Sequence, residues 1–271
     1  MPEIGVAQGL YYEAYDGPDA NAPAVILSAG LGGSGAFWAP QMQALAAHFR
    51  VVVYDHRGTA RSTRTLTTPH CVEAMADDIL AIMDALGLGR AHIVGHAAGG
   101  LAGLSLALRH ANRLDRLALI NAWSRPDPHI ARCFQARLSL LNDSGRAAYV
   151  NAQPIFLYPA NWSSQNAPRL AEEAERQIAN FPAKEAMRAR IDALLAFDID
   201  RFLPEIKAPV LVSAAADDML VPALCSERLA ARLPNAQLAI APWGGHGFTV
   251  TAPEAFNPTL VGFLRGETGS T

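Results

Sequence analysis

Two side chains in this sequence are placed to move a proton. Asp218 stands in Asp217-Asp218-Met219-Leu220-Val221-Pro222, and His246 in Gly244-Gly245-His246-Gly247. A carboxylate that holds one imidazole nitrogen leaves the other free to take a proton from a hydroxyl or a water. A third position matters for what it lacks. Ala91-His92-Ile93-Val94 reads as a strand, Leu101 to Leu108 as a helix, and Gly95-His96-Ala97-Ala98-Gly99 joins them. In a strand–turn–helix with G-x-S-x-G spacing the central serine is the nucleophile. Here that position is Ala97, and a methyl group cannot attack a carbonyl. The acid and base follow the turn in the order expected of a nucleophile–acid–base triad, but without the nucleophile.

The remaining machinery is main chain. Two N–H groups are expected to form an oxyanion hole, one on Ala98 and one on Leu31 in the loop Ala29-Gly30-Leu31-Gly32-Gly33-Ser34-Gly35. Losing a serine side chain removes neither donor. The expected chemistry is then general-base catalysis: Asp218 fixes the tautomer of His246, and His246 activates a water in the space a serine hydroxyl would fill. Without an acyl-enzyme, such a route suits a small or labile substrate. His96, beside the nucleophile position, is expected to pack or hydrogen-bond structurally. Asp217 is the lesser candidate for the acid, with capping of the next helix as its other role. The glycine loop lacks both G-x-G-x-x-G spacing and a following Lys-Ser/Thr pair, which disfavours a nucleotide phosphate loop. The eight histidines include no H-E-x-x-H, and no Cys/His cluster has ligand spacing, so neither a metal nor a cofactor is expected.

These residues need a scaffold. Strands are expected at Leu10 to Tyr15, Ala24 to Ser28, Val51 to Tyr54, Ala91 to Val94, Leu114 to Ile120, Val210 to Ala214 and Ala236 to Ala241. Helices are expected at Phe37 to Phe49, Val72 to Leu86, Leu101 to Leu108, Cys225 to Leu233 and Pro253 to Leu264. Alternation of this kind gives a mostly parallel sheet with ligands at the carboxyl ends of its strands. The pattern stops between Ser124 and Phe197. There, amphipathic pieces at Ile130 to Leu141, Arg146 to Gln153, Pro168 to Asn180 and Lys184 to Leu195 are separated by Gly145, Pro154, Pro159 and Pro182. The expected class is α/β, an α/β-hydrolase fold whose core is 1–123 and 198–271, with a helical cap inserted at 124–197. Trp123, Phe156, Tyr158 and Trp162 are pocket candidates, against the plainer reading that they pack the cap onto the core.

With 271 residues, 51% of them hydrophobic, the chain can bury the core of one large domain. Only 17% are charged and the net charge is −3, which argues against an electrostatic nucleic-acid partner. No apolar run approaches membrane-spanning length. Met1-Pro2-Glu3-Ile4-Gly5 lacks the features of a secretion signal, and the three dispersed cysteines fit a reducing compartment, so a cytoplasmic location is expected. The tail from Gly266 to Thr271 reads as loose. Cap aromatics and apolar helices offer a surface for a homodimer that the residues do not place.

Particular phrases narrow the reading. Gly30-Leu31-Gly32-Gly33-Ser34-Gly35, Tyr54-Asp55-His56-Arg57-Gly58-Thr59 and Val94-Gly95-His96-Ala97 resemble the RutD-like α/β-hydrolases of the Rut pyrimidine-utilisation pathway. So do Arg132-Cys133-Phe134-Gln135 and Ala152-Gln153-Pro154-Ile155-Phe156-Leu157-Tyr158-Pro159-Ala160-Asn161-Trp162, phrases unusual among hydrolases at large. The resemblance runs from Ala24 to Leu264 and implies a bacterial cytosolic enzyme of uracil breakdown that can carry Ala at the nucleophile position. It implies carbamate as substrate, cleaved to ammonia and carbon dioxide, with aminoacrylate as the alternative. Both carry a carboxylate-like charge, so Arg57, Arg125 and Arg132 are candidate anion contacts, Arg132 the favoured one. Two readings compete: a non-catalytic small-molecule binder on a hydrolase fold, and a serine hydrolase in which Ala97 was engineered from Ser.

Overall fold

The computed structural model describes residues 1–66 and 68–267; of the tail expected to be loose, 268–271 lie outside the described residues. The strands are β1 (Glu3–Ala7), β2 (Leu10–Tyr15), β3 (Ala24–Ser28), β4 (Arg50–Tyr54), β5 (Ala91–His96), β6 (Leu114–Ile120), β7 (Val210–Ala215) and β8 (Ala236–Ala241). They form a single sheet in the order β1-β2-β4-β3-β5-β6-β7-β8. β1 and β2 join antiparallel, as do β2 and β4; the remaining pairs are parallel. β1 is an element the sequence reading lacked. Its residues alternate weakly and are mostly exposed, the signature of an edge strand held by its hairpin partner.

The helices of the core are α1 (Ala39–Ala46), α2 (Val72–Ala85) and α3 (Ala98–Arg109) before the insertion. Within 124–197 come α4 (Pro128–Ser139), α5 (Gly145–Asn151), α6 (Gln153–Leu157), α7 (Ala160–Gln165), α8 (Ala167–Ala179) and α9 (Lys184–Ala196). The core resumes with α10 (Ala223–Arg232), α11 (Phe248–Thr251) and α12 (Pro253–Arg265). Among the described residues 124–197 contains no strand. Two short helices, α6 and α7, occupy ground where Pro154 and Pro159 were expected to break the chain. Pro154 sits in the first turn of α6 and Pro159 is the N-cap of α7. At a helix start the missing proline N–H removes no hydrogen bond, so these prolines begin helices rather than end them. The expected helix from Phe37 to Phe49 is a 3-10 turn, Gly35–Trp38, running into the shorter α1.

β3 and β5 are buried along their whole length, as strands covered on both faces must be. One apolar cluster, including Ile26, Ile93, Leu101, Leu104 and Leu117, fills one side of the sheet. A second, including Val25, Leu27, Trp38, Phe49, Val94 and Phe263, fills the other. The chain first winds from β3 to β4 and then returns to place β5 on the far side of β3. β3 and β5 therefore flank the point where the winding reverses, and ligands of open α/β sheets bind beside the carboxyl ends of such strands. Register aligns these ends: Ser28 pairs with Gly95, His96 with Ile120, and Ile120 with Ser213. The loops carrying Leu31, Ala97, Asn121 and Asp218 all leave from this rim.

Candidate active site

The turn between β5 and α3 is sharp enough to force Ala97 to φ 46° and ψ −110°. A residue with a Cβ occupies that region only where its surroundings hold it there. Here the Ala97 N–H donates to the Ile120 carbonyl at 2.8 Å, and the Ala97 carbonyl accepts from Leu101 at 3.1 Å. The flanking glycines permit the turn. A Cβ on Gly99 would collide with the Ser28 carbonyl on β3, and one on Gly95 with the Gly99 carbonyl. The spacing that suggested a nucleophile elbow thus has its expected geometry, with a methyl group at its apex.

Asp218 and His246 meet as expected. His246 Nδ1 lies 2.8 Å from Asp218 Oδ2, and both side chains are buried. Asp218 Oδ1 accepts the Leu220 and Val221 N–H groups at 2.8 and 2.9 Å, so the carboxylate is fixed at both oxygens. The Nδ1 proton is thereby assigned to the Asp218 bond, and Nε2 has no hydrogen-bond partner among the described residues. Asp217 does not cap the following helix. Its Oδ1 accepts the Gly245 N–H at 2.9 Å, while the N-cap of α10 is Pro222. The two acids divide the work: one holds the imidazole of the histidine loop and the other its backbone.

His96 also serves that loop. Its Nε2 donates to the His246 carbonyl at 2.8 Å, and Asn121 Nδ2 donates to the same oxygen at 2.6 Å. The rings of His96 and His246 meet edge to face at 4.7 Å. Burial pushes the His96 imidazole down to about 3, so it stays neutral and keeps this structural bond. Sequence reasoning gave Asn121 no role; a polar residue directly after a buried strand was the available signal.

Of the two proposed oxyanion donors, Ala98 is buried at the first position of α3, where helix N–H groups lack intrahelical partners. Leu31 is half-buried in the glycine loop. Among the described residues neither N–H is hydrogen-bonded within the protein. The loop itself is tied down: the Gly33 carbonyl accepts from the His56 N–H at 2.7 Å and from the Thr59 hydroxyl at 3.2 Å.

The inserted helices close over this rim. The Gly247 N–H donates to the Leu157 carbonyl at 2.8 Å, and the Tyr158 ring occupies the space that a side chain at Gly247 would need. Tyr158 is half-buried, meets the Trp162 ring at 4.7 Å in a tilted contact, and has its phenol pushed up to about 12 by burial. Trp123 is fully buried, 6.5 Å from the Phe134 ring, with its indole N–H unpaired among the described residues. The candidate arginines sit elsewhere: Arg132 and Arg125 are exposed, and Arg57 is bound to Asp78 at 2.7 Å. The structure brings a different arginine to the site, Arg190 of α9, whose Nη2 donates to the Leu31 carbonyl at 2.9 Å. Its signal in the sequence was an arginine on the apolar stripe of a helix, beside Met187, Ile191 and Leu194. Among the described residues no three His, Cys, Asp or Glu side chains are grouped to hold a metal ion.

Comparison with known proteins agrees with this geometry. A family model described as the alpha/beta hydrolase fold matches residues 23–253. A protein of Caulobacter sp. strain K31 is 67% identical over 98% of this chain and 99% of its own, and one of Agrobacterium fabrum strain C58 is 50% identical over 94% and 98%. Both bear the provisional name carbamate hydrolase RutD. Among solved structures, the enol-lactonase from Burkholderia xenovorans LB400 is similar with a TM-score of 0.86 and 30% identity, covering 97% of this chain and all of that one. A turn strained around Ala97, an aspartate–histidine pair and near-full-length identity to these relatives lead to one assignment: the chain belongs to the α/β-hydrolase family and, within it, to the RutD group.

Proposed function

We propose that the protein is a cytoplasmic hydrolase of pyrimidine breakdown that cleaves carbamate to ammonia and carbon dioxide, using water in place of a serine nucleophile. The observation that carries this reading is the buried Asp218–His246 pair, 2.8 Å across, beside an elbow whose apex is Ala97. Residues 1–123 and 198–271 act as the catalytic core and 124–197 as the cap. The RutD relatives supply the substrate; the site supplies the route.

With Nδ1–H donated to Asp218, His246 presents the Nε2 lone pair. It takes a proton from water as the water oxygen bonds to the carbamate carbon. The developing oxyanion is received by the N–H groups of Leu31 and Ala98. The imidazolium, stabilised by Asp218, then returns the proton to nitrogen; the C–N bond breaks, and ammonia leaves with carbon dioxide in its hydrated form. Atoms balance with one water consumed, and no covalent intermediate or cofactor enters. The methyl of Ala97 leaves room where a serine hydroxyl would stand. Of the further candidates, Tyr158 shapes the pocket wall from the cap and Trp123 from the core just after β6, whereas Arg132 is too exposed to serve the substrate.

The test is ammonia release from carbamate at alkaline pH, where the spontaneous reaction is slow. The wild-type protein is expected to accelerate it and His246→Ala to lose that acceleration. Unchanged turnover in His246→Ala refutes the mechanism. Acceleration of aminoacrylate breakdown but not of carbamate moves the substrate to the alternative. Sedimentation of the same samples reads whether the working form is a homodimer.

A further inference from the structure

Arg190 is 98% buried, yet among the described residues every hydrogen bond it makes goes to a neutral acceptor. Nη1 donates to the Arg57 carbonyl at 2.9 Å, and Nη2 donates to the Leu31 carbonyl at 2.9 Å and to His56 Nδ1 at 3.3 Å. Nε is buried without a partner among the described residues. The carboxylate whose charge acts on it, Asp78, is already bound to Arg57 at 2.7 Å. Burial draws its guanidinium down only to about 10, so it carries a full charge at neutral pH. Leaving an ion in the interior without a counter-ion is expensive, and structures rarely retain one without a use for it.

Its contacts show what that use can be. Arg190 comes from α9, in the insertion, and grips two loops of the core. One carries Leu31, the proposed oxyanion donor. The other, Asp55 to Thr59, in turn holds the Gly33 carbonyl of the first. By donating to Nδ1, Arg190 also fixes the His56 tautomer. His56 Nε2–H can then donate to Ser28 Oγ at 3.2 Å, and Ser28 bonds Tyr54 at 2.8 Å. Ser28 is the last residue of β3, directly before the glycine loop. One guanidinium thus braces that loop on both sides while leaving its charge unneutralised beside it.

We propose that Arg190 is a positioning residue that sets the oxyanion loop and makes the site selective for a small planar anion over its neutral isostere. This rests on the proposed function for the identity of the natural substrate, carbamate, but the preference for an anion is testable without turnover. Bicarbonate and urea are suitable probes. Both are planar and three-armed like carbamate, but only bicarbonate is charged.

The experiment measures binding of bicarbonate and of urea to the wild-type protein, Arg190→Gln and Arg190→Lys, by titration with NMR detection, together with kcat and KM for carbamate. Wild type is expected to prefer bicarbonate. Arg190→Gln is expected to lose about tenfold or more of that affinity, the scale of a unit charge acting through an effective dielectric of about 20, with urea binding nearly unchanged. Arg190→Lys restores the charge and should recover anion affinity. It should still show a lowered kcat, because one ammonium lacks the planar fork that spans the Leu31 and Arg57 carbonyls. Equal loss of bicarbonate and urea binding in Arg190→Gln would reduce Arg190 to a structural brace, and a wild type without preference for bicarbonate would overturn the proposal. An Arg190-dependent anion preference in a protein that releases no ammonia from carbamate would leave the proposal standing and remove the proposed function.

Discussion

Ala97 poses two separate questions, one of chemistry and one of conformation. Its φ of 46° stores strain of about 1–3 kcal/mol, which glycine would not bear. Glycine gives back about 0.5–1 kcal/mol through the greater freedom of its unfolded chain. The lost methyl gives back about 0.8 kcal/mol more, since Ala97 is buried. Ala97→Gly is therefore expected to change stability only slightly, by between about −1 and +2 kcal/mol, at about 2–4 °C in Tm per kcal/mol for a chain of this size. Because the methyl takes no part in the proposed chemistry, carbamate turnover should survive the change. A large loss of turnover with an unaltered Tm would mean that the methyl itself positions the water. Asp218→Asn addresses the partner role: the amide favours the wrong tautomer of His246, and kcat should fall by about 10³ or more while the fold is kept.

At the scale of elements, the site depends on how closely α3 can approach β3. Gly99 fixes that distance, since a Cβ there would drive into the Ser28 carbonyl, which is backbone and cannot step aside. Gly99→Ala is expected to destabilise the protein by about 3 kcal/mol or more, as overpacking against rigid main chain does, and a thermal melt reads this directly. A melt within about 1 kcal/mol of wild type would show that α3 can slide, and the oxyanion geometry would then be less rigid than drawn. The same elements explain what was legible in the sequence. Asp218 follows a buried apolar strand and His246 the half-exposed edge strand β8, and both strands announce themselves by composition and by their place in the alternation, so the loops after them could be located to the residue. Gly95 and Gly99 were legible because so few residues fit a turn that tight. Arg190 was not, because an arginine in a helix reads first as a solvated face; only its packing reveals that the helix turns it inward. α6 and α7 were lost for the opposite reason, since Pro154 and Pro159 read as breaks in a one-dimensional pattern although they stand where a helix begins.

Across the whole molecule, buried histidines tie stability to pH. His56, His92 and His96 are all buried, and in each case desolvation is the largest cause holding the imidazole below its usual range, His92 near 4 and His96 near 3. They lie in different surroundings: His56 under Arg190, His92 against the edge of Phe49, His96 beneath the catalytic loop. The sign follows from linkage. The unfolded chain binds protons at these positions below about pH 6.5, whereas the folded chain binds them only well below that, at about pH 4 for His92 and about pH 3 for His96, so stability is present above pH 6.5 and is lost as pH falls. Each such histidine contributes a slope of up to about 1.4 kcal/mol per pH unit, so several together contribute several kcal/mol per pH unit as the pH falls below about 6. Against a typical total of about 5–15 kcal/mol, that is enough to unfold the protein in mild acid, before most carboxylates are protonated. Urea midpoints at pH 7, 6 and 5 should drop in accelerating steps, and His92→Leu, which touches neither the elbow nor the cap, should remove about one proton from that dependence. A midpoint unchanged from pH 7 to pH 5 would mean that these imidazoles open to water before the fold is lost.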